Sequence, residues 1–293
     1  MRKSRSQSGS AISAVHNAIE CPLSINDLGV HLMNKQSRRQ FVTGATRSLL
    51  VAGFTHLLLN AGVASDEGRE RLEPWLTDLC ALGRQLCDDG ISQRQWQAGM
   101  DELYGRVSLE DLLQFIDFEK VSREMSSRDL GSRGEIFDTL FVGSPDDDNT
   151  PGTSGPEPGR RLISKIAHVR KGRSIPPHGH GNMVSAFLNI SGEFHVRQFD
   201  KLCDEAESLV VRPTTNERST PGTWSSISDY HNNVHWLSAK SDDCFLFTTK
   251  LIHLDAERRT NGRIHIDVLA AEPLGRGLLR APKIDHDAAM SRY

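Results

Sequence analysis

Gly172-Arg-Ser-Ile-Pro-Pro-His178-Gly-His180-Gly-Asn-Met-Val-Ser185-Ala-Phe-Leu-Asn-Ile-Ser-Gly192 sets two histidines on either side of a single glycine, with more glycine at both ends. His178 and His180 are i and i+2, so an extended chain turns both imidazoles to the same side. Two imidazoles converging from one strand are two of the ligands a transition metal requires. Around this stretch the chain reads as short strands punctuated by Gly and Pro. Candidates are 162–169, 184–190, 193–199 beyond the turn Ser191-Gly192, 209–212, 234–237, 244–252 and 263–269. Many short strands at close intervals point to a closed all-β barrel or sandwich.

A third ligand should come from a later strand. His231 and His235, in Asp229-Tyr-His-Asn-Asn-Val-His235, are the candidates. Four apart, they share a face if one strand covers both. His195 alternates with Glu193 and Arg197, the pattern of a solvated face. His168, His253 and His265 are isolated in sequence and are read as structural. Cys80, Cys87, Cys203 and Cys244 are read as buried thiols, and Asp285-His286-Asp287 as an exposed polar stretch.

Upstream, 66–129 has helical periodicity. Leu72, Trp75, Leu76, Leu79, Leu82 and Leu86 form one stripe that ends at Asp89-Gly90. A second helix runs through Trp96, Met100, Leu103 and Tyr104. A third opens on the cap Ser108-Leu-Glu-Asp111 and continues through Leu112, Leu113, Ile116 and Val121. Residues 136–142 read as a strand. The Pro/Gly/Asp-rich 144–161 reads as a long exposed loop.

The N-terminus has a different character. Ser37-Arg38-Arg39-Gln-Phe41-Val42 resembles a twin-arginine export signal, and an apolar run to Leu59 and the small residues Ala61–Ser65 follow it. The resemblance implies passage through the twin-arginine translocase to the periplasm of a bacterium. Residues 1–65 carry seven Lys/Arg and two Asp/Glu, a net +5, so the rest of the −3 chain carries −8. An acidic body without a Lys/Arg-rich block argues against a nucleic-acid partner. No run of 18 apolar residues beyond position 65 suggests a membrane span. Five cysteines without a C-x-x-C pair make neither a disulfide framework nor a thiolate zinc site.

The spacing from Gly172 through His178 and His180 to Gly192 resembles the first motif of the cupins. Ser185 stands where most cupins have a metal-binding glutamate. Ile175-Pro-Pro-His-Gly-His-Gly-Asn-Met183, Phe199-Asp-Lys-Leu202 and Asn232-Asn-Val-His235, with Ala239 and Phe245-Leu246, resemble the thiol dioxygenases of the cysteamine dioxygenase and plant cysteine oxidase type. That resemblance covers roughly residues 162–268. It implies ferrous iron held by three histidines and no carboxylate: His178, His180 and His235. His231, Ser185 and Tyr230 remain as an alternate ligand or supporting groups. It also implies a reaction of a small thiol with O2 to give a sulfinate. Three neutral imidazoles leave Fe(II) its full charge, which favours a thiolate. The expected architecture is α+β: leader 1–65, helical module 66–130, a single cupin barrel (a double-stranded β-helix) over 131–275, and a tail 276–293. A non-catalytic metal- or ligand-binding cupin, or a cupin enzyme using another divalent first-row metal, are the alternatives. The three-ligand reading expects imidazole nitrogens within about 4 Å of one another.

Overall fold

The computed structural model describes residues 66–128, 135–143 and 161–293. The export signal with Arg38 and Arg39, and the loop 144–160, lie outside the described residues. Among the described residues four helices come first: α1 (Asp66–Cys87), α2 (Gln93–Arg106), α3 (Leu109–Phe115) and α4 (Phe118–Ser126). Ser92 starts α2 with a reciprocal capping box to Gln95, and the Ser108 hydroxyl caps α3 by accepting from the Asp111 amide. The single third helix expected from periodicity is instead two. Asp117 lies in the left-handed region, φ 47° and ψ 55°, and breaks it. The apolar stripe Leu112, Phe115, Ile116, Val121 faces one core across the break, so hydrophobic spacing alone does not reveal the turn. Among the described residues no helix is long and apolar enough to cross a membrane.

Twelve strands follow among the described residues: β1 (Glu135–Gly143), β2 (Arg161–Val169), β3 (Ser174–Gly181), β4 (Met183–Ser191), β5 (Phe194–Asp204), β6 (Ser208–Ser219), β7 (Trp224–Ile227), β8 (Val234–Ala239), β9 (Cys244–Ile252), β10 (Asn261–His265), β11 (Glu272–Gly275) and β12 (Leu278–Pro282). They form two antiparallel sheets, β1-β2-β9-β4-β7 and β10-β3-β8-β5-β6-β12-β11. From β2 to β5, and again from β6 to β10, each successive strand changes sheet. That zigzag winds the chain into a two-sheet sandwich of the kind expected.

Residues 276–293, expected as a tail, are folded. β12 pairs with β6, Leu279 opposite Val211, and α5 (His286–Arg292) packs beside β3. β7, β11 and β12, with four or five residues each, are not among the strands expected.

Alternation assigns the two faces of the five-stranded sheet. Val184, Ala186 and Leu188 of β4, with Phe245, Phe247 and Leu251 of β9, join the helices in one apolar cluster with Leu76, Met100 and Leu112. The helices thus cover one face of this sheet, an α+β arrangement. The intervening residues of β4 and β9 turn inward. There Leu246 packs with Phe194, Val196 and Leu237 of the facing sheet.

Candidate metal centre

His178 and His180 lie on β3, and His235 lies on β8 directly opposite His178. Pro176 and Pro177 offer no N–H to the ladder, and the β3–β8 register shifts across them. The carbonyl of Pro176 is instead used locally: His178 Nδ1 donates to it at 2.7 Å. His235 Nδ1 makes a longer contact, 3.4 Å, to the Asn233 carbonyl. A carbonyl only accepts, so both Nδ1 atoms carry the proton and both Nε2 lone pairs are left free.

Asn233 ties the two strands together. Its side-chain amide donates to the carbonyls of His180 and Ser228, and its Oδ1 accepts from the His180 amide. The Asn-x-His spacing therefore has a local physical reason.

His178 meets His180 and His235 edge to face, while the His180 and His235 rings are closer to parallel, at 28°. Centroids are 4.2 Å apart for His178 and His235, 4.7 Å for His178 and His180, and 5.5 Å for His180 and His235. One nitrogen from each lies within 4.8 Å of the others. That is wider than the ~4 Å expected. Two metal–nitrogen bonds of about 2.1 Å separate nitrogens by at most about 4.2 Å, so the widest pair would close by roughly 0.6 Å, a small ring rotation. Burial foremost, then the neighbouring imidazoles and Arg263, hold His178 well below the usual histidine range. Burial, with His235 and Lys250, does the same to His180. His235 falls to about 3, mainly by burial. Three neutral imidazoles without a carboxylate fit a divalent first-row metal.

Ser185 lines the same cavity, but its hydroxyl donates to the Thr249 carbonyl at 3.1 Å and forms part of the β4–β9 scaffold. His231 and Tyr230 are not beside the triad. β8 begins at Val234, after both. Tyr230 is 60% exposed. His231 Nδ1 contacts Asp200 Oδ1 at 2.9 Å.

Three further residues lie near the triad. His265, read as structural, stands opposite His178 on β10, its ring 5.6 Å away. Lys250 and Arg263 line the cavity. Burial foremost, then Lys165 and Arg263, lowers Lys250 to about 8. Arg263 is ion-paired with Glu135 and lies over the Phe137 ring. Gln198, opposite His235 on β5, has a buried Nε2 without a hydrogen-bond acceptor among the described residues. Parity along β9 would have placed Lys250 inward. The other positions depend on cross-strand register, which a linear pattern does not contain. His195 bonds Asn216 on an exposed face, as expected, and the four described cysteines are buried.

No family model matches the chain, and no curated protein matches it. Several solved structures show a slight likeness to part of the chain. A cupin superfamily protein from Desulfitobacterium hafniense has 11% identity and a TM-score of 0.29, covering 45% of this chain and 87% of that one. KdgF from Halomonas sp. has 17% identity and a TM-score of 0.25, covering 36% and 89%. Procruciferin, an 11S globulin from Brassica napus, has 17% identity and a TM-score of 0.25, covering 30% of this chain. The chain spans only 20–26% of the length of that protein, of an 11S globulin from Wrightia tinctoria and of a vicilin from Corylus avellana. Likenesses this slight carry no weight for function, which rests on the chain's own residues.

Proposed function

We propose that this protein is an exported cupin that binds ferrous iron through His178, His180 and His235 and oxidises a small thiol with O2 to a sulfinate. The observation that carries this reading is the convergence of three neutral imidazoles, His178 and His235 buried and His180 half-buried, in a cavity to which Ser185 brings a hydroxyl and no carboxylate. The twin-arginine resemblance supports a bacterial periplasmic location, reached through the translocase. The acidic charge of the chain beyond the leader gives no footing for nucleic acid.

Bound iron would supply the Lewis acidity that keeps a coordinating thiol ionised and the redox chemistry that O2 needs. The protein's own part is positioning. The Pro176 carbonyl fixes the His178 tautomer, and Asn233 fixes the spacing of β3 and the start of β8. All three imidazoles serve as ligands, so none is left as a base, and the thiol proton departs to solvent. The cavity is about 40 Å³, room for roughly three waters, which limits the substrate to a small molecule. Both atoms of O2 end on sulfur, RSH + O2 → RSO2H, without an external reductant.

The test is O2 uptake by the anaerobically Fe(II)-loaded protein offered cysteamine, cysteine and 3-mercaptopropionate, with His235→Ala and His231→Ala alongside. Uptake with one thiol, lost in His235→Ala and retained in His231→Ala, is expected. A metal-loaded protein that consumes no O2 with any thiol would overturn the reading and leave a metal-binding cupin.

A further inference from the structure

We propose that Lys250 is the anchor for a carboxylate on the substrate, so that the thiol taken by this site is a short mercapto acid and not an amine such as cysteamine. The inference rests on the thiol-oxidation reading and deepens it.

Lys250 alternates with Leu246 and Thr248 on the inner face of β9, while Phe245, Phe247 and Leu251 face the helices. It lines the cavity that holds the three histidines, and its positive charge is felt at His180 and His235. Its cross-strand partners are Ser185 on β4 and Ile163 on β2, neither of them acidic. The Ser185 hydroxyl is committed to the Thr249 carbonyl.

Among the described residues the Lys250 ammonium has no ion pair and no hydrogen-bond acceptor. The acid whose charge reaches it is Glu135, and Glu135 is held by Arg263. No Asp or Glu lines the cavity. An inward, unneutralised cation in a partly buried site is destabilising by itself. A residue kept at that cost beside a candidate metal centre favours an anionic ligand. A substrate ammonium there would meet Lys250, Arg263 and the metal, all of one sign. A carboxylate two or three carbons from sulfur would meet Lys250 while the sulfur reaches the histidines.

The experiment compares 3-mercaptopropionate with its uncharged amide, 3-mercaptopropanamide, and with cysteamine. Binding to the full chain, Fe(II)-loaded under argon, is followed by calorimetry, so no turnover is needed. The acid should bind at least ~10-fold tighter than the amide, and cysteamine weakest. Lys250→Met should erase the preference for the acid, keep the metal content and raise Tm by a few degrees. Lys250→Arg should keep the preference. Equal binding of acid and amide by the unmodified protein would overturn the proposal, and so would a preference that survives Lys250→Met. Were Lys250→Met not to fold, Lys250→Gln would supply the same comparison. A protein that prefers the acid yet consumes no O2 would leave the carboxylate site standing and remove the oxidation reading.

Discussion

Asn233 and His235 show how single residues set the properties of this centre. The Asn233 side chain makes three hydrogen bonds inside the protein, two to His180 and one to Ser228. Truncation leaves those backbone groups buried and unpaired, at about 1–3 kcal/mol for such a loss. Asn233→Ala should therefore lower stability in urea by about 2–3 kcal/mol, and metal affinity by about 10- to 100-fold as ligand orientation loosens. Metal titration with a competing chelator checks the second figure. His235 dictates a pH response. Its folded value is about 3, against 6.5 as its ordinary value. The unfolded chain therefore takes up a proton on this residue before the folded one does. The stability contributed by the neutral, buried imidazole is complete above pH 6.5 and is lost as pH falls from 6.5 toward 3. The metal-free protein should show a Tm that declines across that window, and His235→Phe should flatten the decline. A Tm unchanged between pH 7 and 4.5 would contradict the assignment.

The turn before β3 and the turn between β4 and β5 make different demands on two glycines. Gly172 has φ +77°, and a Cβ there would meet nothing within 4 Å. Gly192 has φ +76°, and a Cβ there would lie 2.8 Å from the Cys244 sulfur and 2.9 Å from the Cys244 Cα. Gly172→Ala should cost only the left-handed backbone penalty, about 1–2 kcal/mol. Gly192→Ala adds a collision with β9 backbone and should cost about 3 kcal/mol or more. Urea unfolding of the two variants gives the comparison, and equal losses would refute it. These elements also show what the sequence makes legible. His178 and His180 stand two apart on one strand, Asn233 and His235 two apart at the start of another, and both pairs can be read locally. His265 and Gln198 acquire meaning only through register with His178 and His235, across separations that no local window spans. The break at Asp117 was hidden for the opposite reason, because both helices around it present apolar residues to the same core.

At the scale of the whole molecule, the helices and the strands share one interior. Trp96, Met100, Leu112 and Phe115 are in one buried cluster with Val184, Leu188, Phe245 and Leu251. The Trp75 ring approaches Phe247 at 6.4 Å between centroids, and Phe118 meets Phe245 edge to face at 5.1 Å. The helical face of β9 would be exposed without this layer, while its other face carries Lys250 and Thr248 into the cavity. The helices therefore contribute to holding the strand that lines the centre, at a distance from the chemistry. Two consequences follow from one shared core. Helix and sheet signals should be lost together in thermal unfolding, with far-ultraviolet dichroism and tryptophan fluorescence giving coincident transitions. Trp96→Ala, which removes a fully buried ring from the helical side, should cost about 3–5 kcal/mol. Because the core is common, that loss should lower the denaturant midpoint of both signals equally. A variant in which the helical signal melts first while the sheet keeps the midpoint of the unmodified protein would show that the sandwich stands alone, and that its helical face tolerates water.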